Sequence, residues 1–263
     1  MEKILKDKYR HPTAWDQTFP PLSMGGMVES SARAHPGALM IDFMGRKFTY
    51  GDMLGQIGRV AAGLQAMGVK QGDRVGLYLP NTPHYVAAYY GALMIGAIVV
   101  NFSPLYTAAE LEHQVEDSGT TILFTLSARA LLPTALEVLE HSSLEKLVVG
   151  SVAEMLSPVK SFLFRMFKAS ETAPIPNDAR ILRYDRLIDN AGDFVAPSID
   201  PVNDIALLQY TGGTTGTPKG AMLSHQNLSA NARQVNAIDP RNDSEHDRIL
   251  GVLPFFHVFA NTC

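Results

Sequence analysis

From residue 49 onward the apolar positions switch between a helical period and short unbroken runs. Met53, Ile57, Val60, Leu64 and Met67 recur at three- and four-residue spacing, which is one buried helical face, with Thr49 placed to cap its start and Gly68 to stop it. The run RVGLYL, 74–79, then reads as a strand. Thr82 followed by Pro83 opens a second helix, because proline at the first helical position lacks only an N–H that would be unpaired there; it runs to about Gly96. AIVVN, 97–101, is a β-branched strand, and Thr107 with Glu110 forms a capping box for a helix ending at Ser118 and Gly119. TILFT, 121–125, follows as a strand, and a weaker helical pattern over Leu131–Glu140 leads to the strand KLVVG, 146–150. Strands and helices that alternate with short connections predict an α/β fold, a mostly parallel sheet flanked by helices on both faces.

Two stretches depart from this rhythm. Tyr85–Ala109 contains no charged residue and is long enough to cross a bilayer, but Gly91, Gly96, Asn101, Ser103 and Pro104 interrupt it. It reads as a buried helix followed by a buried strand. Residues 151–200 carry prolines at 158, 174, 176 and 197 and read as an irregular connection. They would join a first αβ lobe, 49–150, to the start of a second lobe, 201–263, with residues 1–48 as an N-terminal arm carrying the first strands. Inside the connection, SPVKSFLFRMFKAS puts Val159, Phe162 and Met166 on one helical face and Lys160, Phe164 and Lys168 on another. The favoured reading is a helix packing its apolar face on the core with its lysines solvated; the alternative is a helix resting on a membrane surface.

Composition changes this picture little. The 263 residues are 46% hydrophobic, enough for a sizeable core, and a net charge of -4 with scattered basic residues gives no reason to expect nucleic acid. The single cysteine, Cys263, cannot form an internal bridge, and the N-terminal MEKILKDKYR has no apolar core for a secretory signal. A cytoplasmic protein is expected, with contact at the inner face of the membrane and a homodimer left open.

The chemistry concentrates in QYTGGTTGTPKGAML, 209–223, where seven consecutive residues from Thr211 to Thr217 are only threonine or glycine and Lys219 follows. Glycine accepts backbone angles that let several N–H groups converge on one point, threonine adds hydroxyl donors, and lysine adds full positive charge, which together suit phosphate oxygens. A flexible linker is the alternative, but DIALLQY, 204–210, and GAMLSH, 220–225, are strand-like segments on either side. The NTPase P-loop, G-x-x-x-x-G-K-[ST] opening into a helix, is a poor match: Pro218 separates the loop from Lys219, no hydroxyl residue follows the lysine, and a strand comes next. A dinucleotide fingerprint is also absent.

YTGGTTGTPKGAMLSH resembles the phosphate-loop motif of the adenylate-forming superfamily: acyl-CoA synthetases, luciferase and peptide synthetase adenylation domains. LPFFHVFA, 253–260, is similar to that superfamily's aromatic and histidine segment, and VVNFSPLYTAAELEHQVEDSG, 99–119, resembles the bacterial long-chain fatty acid CoA ligases in particular. The resemblance covers essentially the whole chain from about residue 20. It implies the N-terminal part of stacked αβ lobes, and a reaction in which a fatty acid carboxylate attacks Mg-ATP to give acyl-AMP and pyrophosphate before coenzyme A displaces AMP.

Position by position, the resemblance implies Thr211 as the magnesium ligand, and Gly212, Gly213, Thr214, Thr215, Gly216 and Thr217 around the phosphates. Lys219 would neutralise the phosphates and His257 would lie between the acyl carboxylate and them, making these two the expected catalytic residues. Phe255, Phe256 and Phe259 would line the acyl channel beside His257. A plain aromatic core and a hydrogen-bonded core histidine stand as the alternatives, and His225 reads as structural. The family's magnesium glutamate, ribose-binding aspartate, hinge and catalytic lysine of a small C-terminal domain would follow Cys263. The residues given are therefore expected to be inactive and poorly soluble alone. Transfer to a carrier protein, or nucleotide binding without catalysis, remain the other readings.

Overall fold

The computed structural model describes residues 8–10, 13–211, 218–238 and 248–262. Capping side chains set most helix starts. Ser23 Oγ accepts from Gly26 N–H at 3.1 Å ahead of α1 (Met24–Ala34), a helix the hydrophobic pattern did not reveal. Thr49 and Asp52 bond reciprocally, at 2.9 and 3.1 Å, to begin α2 (Tyr50–Ala66). The Thr82 hydroxyl accepts from Tyr85 N–H at 3.3 Å to begin α3 (Pro83–Met94), an interaction worth about 1 kcal/mol. Thr107 and Glu110 form the expected box for α4 (Ala108–Ser118), which stops at Gly119 in the left-handed region at φ 65°. The weaker pattern becomes α5 (Leu132–His141), which has no side-chain cap.

The strands β1 (Leu39–Phe43) and β2 (Arg46–Thr49) form an antiparallel hairpin. Everything else converges on one sheet built from β3 (Arg74–Leu77), β4 (Ile98–Asn101), β5 (Ile122–Leu126), β6 (Lys146–Gly150), β7 (Ile181–Arg183), β8 (Ile205–Thr211) and β9 (Lys219–Ser224). The spatial order is β7-β6-β5-β3-β4-β8-β9, parallel throughout except for β9. Leaving β3 the chain steps one way to β4, and leaving β4 it steps back past β3 to β5. Right-handed crossovers in opposite directions put α3 and α4 on opposite faces. Accordingly α3 packs with α1 and α2, and α4 with α5.

The charge-free stretch from Tyr85 is explained by this sandwich. Ten of the twelve residues of α3 are buried, because the helix has the sheet beneath it and α1 and α2 above. The crossing with α2 is close: a Cβ on Gly91 would lie 2.8 Å from Val60 Cγ1. Among the described residues, no helix is long and apolar enough to cross a membrane.

Residues 151–200 are more ordered than expected, contributing α6 (Pro158–Phe167), β7 at the sheet edge and the short α7 (Tyr184–Leu187). Beyond the expected boundary at residue 201, β8 pairs with β4 at Val99↔Leu207, Val100↔Leu208 and Asn101↔Gln209. The helix after β9, α8 (His225–Ile238), also straps the N-terminal arm: Gln226 Nε2 donates to Phe19 O at 2.7 Å, and the buried His225 accepts from Met24 N–H at 3.3 Å. Burial lowers the pKa of His225, whose role is structural, as expected.

The core-packing reading of α6 is overturned, because its faces are reversed. Val159, Phe162 and Met166 are 70%, 66% and 53% exposed. The stripe expected to be wet is the docked one. Lys160 Nζ donates to Met44 O at 2.5 Å, Phe164 and Lys168 line a cleft with Ala128 and Val152, and Lys168 pairs with Glu171 at 3.6 Å. The Lys160 contact to Met44, 116 residues away and absent from any local pattern, together with the cleft that receives Phe164, turns the helix over.

At the start of α3, His84 is buried and stacks on Tyr184 with ring centroids 3.9 Å apart. Its Nδ1 has no partner among the described residues, and its Nε2 is 3.9 Å from Glu154, whose own pKa is raised by burial. Burial, helped by the Arg46 charge, pushes the His84 pKa down to about 3. The unfolded chain therefore binds a proton between about pH 6.5 and 3 that the folded chain refuses, and stability falls as pH drops through that window. From pH 7 to pH 5 this single histidine is expected to remove about 2 kcal/mol. Denaturant titrations at both pH values should show His84→Phe losing less stability than wild type by about that amount; equal losses would remove the assignment.

Candidate active site

The carboxyl ends of the adjacent parallel strands β3, β4 and β8 meet on one edge of the sheet, and each contributes to the site. The chain turns back toward β5 after β4 but runs outward to β9 after β8, so the edge between them is a switch point, where open α/β sheets bind ligands.

At that edge β8 ends in Thr211, whose cross-strand partner is Lys219, the first residue of β9. The strand–loop–strand arrangement read from the sequence is thus present, and Lys219 opens a strand, unlike the lysine of an NTPase P-loop. Both Thr211 and Lys219 are exposed. Gly212, Gly213, Thr214, Thr215, Gly216 and Thr217 lie outside the described residues. Next to Thr211 in the strand, Tyr210 is buried and its hydroxyl donates to Asp117 Oδ2 at 2.5 Å, so burial and the carboxylate raise its pKa and keep it a donor.

The second motif sits on the same edge. Asn81, just past β3, holds it with three hydrogen bonds: its Nδ2 donates to Gly251 O at 3.0 Å and Leu253 O at 2.7 Å, and its Oδ1 accepts from Phe255 N–H at 2.7 Å. The Tyr85 hydroxyl lies 2.8 Å from Phe255 O and 2.9 Å from Asn101 Oδ1, its single proton shared between them. Asn101 Nδ2 in turn donates to Gln209 Oε1 at 3.4 Å. A buried polar chain from Gln209 of β8 through Asn101 and Tyr85 to Phe255 therefore ties the strand leading into the loop to the aromatic segment. Asn81, Tyr85, Asn101 and Gln209 were not singled out in the sequence; an asparagine after a parallel strand, ahead of a Thr-Pro helix start, was the available signal.

Of the expected acyl-channel residues, Phe255 is half-buried against Tyr85, ring centroids 5.6 Å apart, and Phe256 is also half-buried. His257 is exposed among the described residues, and its Nδ1 accepts from Phe259 N–H at 3.4 Å. Phe259 is 58% exposed on α9 (Val258–Thr262). Two clefts formed by described residues lie elsewhere, around α6, and neither is lined by Lys219 or His257. The geometric case therefore rests on the shared sheet edge, not on cavity shape.

Magnesium has only one expected donor here, the Thr211 hydroxyl, and among the described residues no three His, Cys, Asp or Glu side chains gather to hold a metal. These residues do not form a metal site by themselves.

The model of the family described as AMP-binding enzyme matches residues 28–263. The long-chain-fatty-acid–CoA ligase of Bacillus subtilis is 36% identical over 264 aligned residues, covering 97% of this chain and 46% of that protein. The ligase of the same name from Escherichia coli O157:H7 is 35% identical over 91% of this chain and 43% of its own length. The crystal structure of a long-chain-fatty-acid–CoA ligase from Archaeoglobus fulgidus superposes with a TM-score of 0.74 at 26% identity, covering 97% of this chain and 47% of that one. The chain thus spans less than half the length of these relatives. On the match across nearly its whole length, the chain belongs to the AMP-binding enzyme family.

Proposed function

We propose that these residues serve a long-chain fatty acid CoA ligase that is ATP-dependent and AMP-forming. The observation that carries the reading is the Thr211↔Lys219 strand pair bracketing the Gly/Thr loop on the same sheet edge as the Phe255–His257 segment. In the first step a carboxylate oxygen of the fatty acid attacks the α-phosphorus of ATP, and pyrophosphate leaves with the bonding pair. In the second, the sulfur of coenzyme A attacks the acyl carbon, AMP leaves, and the thiol proton passes to solvent or a base.

Charge grows on the phosphoryl oxygens during the first step. The amides and hydroxyls of 212–217 and the ammonium of Lys219 would meet it. Thr211 would give one oxygen to magnesium, which when bound supplies charge neutralisation of the triphosphate. His257 would stand between carboxylate and phosphates, and Phe255, Phe256 and Phe259 beside the alkyl chain. The exposed Ile249, Leu250 and Val252 are suited to be covered by further chain in a ligase of the relatives' length.

The test is product analysis on the full-length gene product. Fatty acid, ATP and coenzyme A together should give acyl-CoA and AMP, and omission of coenzyme A should leave fatty-acid-dependent ATP–pyrophosphate exchange intact. Exchange without acyl-CoA formation would point to transfer onto a carrier protein. ATP binding with neither activity would leave a nucleotide-binding module.

A further inference from the structure

On a helical wheel the outward face of α6 is a continuous apolar arc: Phe162, Met166, Val159, Leu163 and Phe167 follow one another around roughly 140°. All five are at least 42% exposed, and Met44, whose carbonyl binds Lys160, is exposed beside them at 57%. Five neighbouring large apolar side chains facing water on one helix are unlike scattered surface hydrophobics.

The charges say what covers them. Although the chain has a net charge of -4, the helix and the residue after it carry Lys160, Arg165 and Lys168 and no acid. Arg165 falls at one rim of the apolar arc, where a long cationic stem can reach sideways, and Lys160 falls at the other, its ammonium held on the Met44 carbonyl beside the exposed Met44 side chain. A second copy docking here would bring like charges together. Further chain beyond residue 262 starts from α9, beside Tyr85 and the β3–β4–β8 edge, whereas α6 follows β6, near the other end of the sheet. An anionic lipid surface meets both features, apolar depth for the arc and phosphate charge for its rims. We infer that α6 is an interfacial anchor that lays Phe162, Met166 and Phe167 into the headgroup region of an anionic bilayer.

The test is flotation of the full-length gene product with phosphatidylcholine vesicles, with and without phosphatidylglycerol. Wild type should bind the anionic vesicles, and raised salt should weaken binding. Phe162→Ser with Phe167→Ser should lower the partition coefficient roughly tenfold or more, and Arg165→Gln, at the rim of the arc, should weaken the preference for anionic lipid. Both variants should keep the wild-type melting temperature and wild-type ATP–pyrophosphate exchange with a short, water-soluble acid, so failure here is distinguishable from failure of the ligase reading. Equal vesicle binding by wild type and the phenylalanine double variant would overturn the inference. So would a concentration-dependent dimer abolished by the same substitutions without vesicle binding, or capture of a protein partner in its place.

Discussion

Replacing Lys219 with alanine is expected to lower kcat/KM for acyl-CoA formation by about 10²–10³-fold, while the melting temperature of the full-length protein stays unchanged. The side chain is exposed at the first position of β9, so its removal leaves no cavity. What disappears is a full positive charge at the end of the strand that closes the loop from Thr211. A loss of that size corresponds to about 3–4 kcal/mol of transition-state stabilisation, more than an exposed surface ion pair supplies and in the range of a lost transition-state charge partner. Lys219→Arg should recover part of the rate, since it keeps the charge and changes the shape. Steady-state kinetics with both substrates varied provide the measurement. A Lys219→Ala enzyme within about threefold of wild type would mean that the loop does not hold the phosphates in the reacting complex.

Asn81→Ala is expected to act through position rather than charge. Its side chain supplies three hydrogen bonds to the 251–255 backbone, and without them Gly251 and Leu253 lose their fixed partners. Exposed carbonyls can turn to water, so the stability change should be modest, about 1 kcal/mol. The aromatic segment, however, loses its clamp to the end of β3, and displacement of a substrate-positioning element by about 1 Å can cost 10²-fold in rate. A decrease of about 10–100-fold in kcat/KM for fatty acid is expected, with the KM for ATP little changed. Tyr85→Phe, which removes the link between Phe255 and Asn101, should move in the same direction. If Asn81→Ala instead raises the KM for ATP and leaves fatty acid kinetics intact, the clamp serves the nucleotide.

How much of this could be seen beforehand depended on the range of the interactions. Thr49, Thr82–Pro83, Thr107–Glu110 and Gly119 act on backbone groups a few residues away, so helix boundaries were legible. KLVVG was legible as a strand because it is buried and unbroken. The pairing of β8 with β4 joins segments about a hundred residues apart, and nothing local distinguishes a new lobe from a sixth-strand extension of the old sheet. Asn81 escaped for the same reason: its partners are 170 to 174 residues away. The helix α6 was misjudged because period fixes which residues share a face but not which face docks. That was decided by the Met44 carbonyl and the cleft that receives Phe164.

The order of strands has a further consequence for how substitutions combine. From β6, which leads into α6, to β8, which leads into the loop, there are four strand spacings, roughly 19 Å at about 4.8 Å each. Groups that far apart with no shared partner behave additively, within about 0.3–0.5 kcal/mol. Free energies measured for Phe162→Ser with Phe167→Ser and for Lys219→Ala should therefore sum in the combined variant. Any surplus would report long-range coupling through β5, β3 and β4.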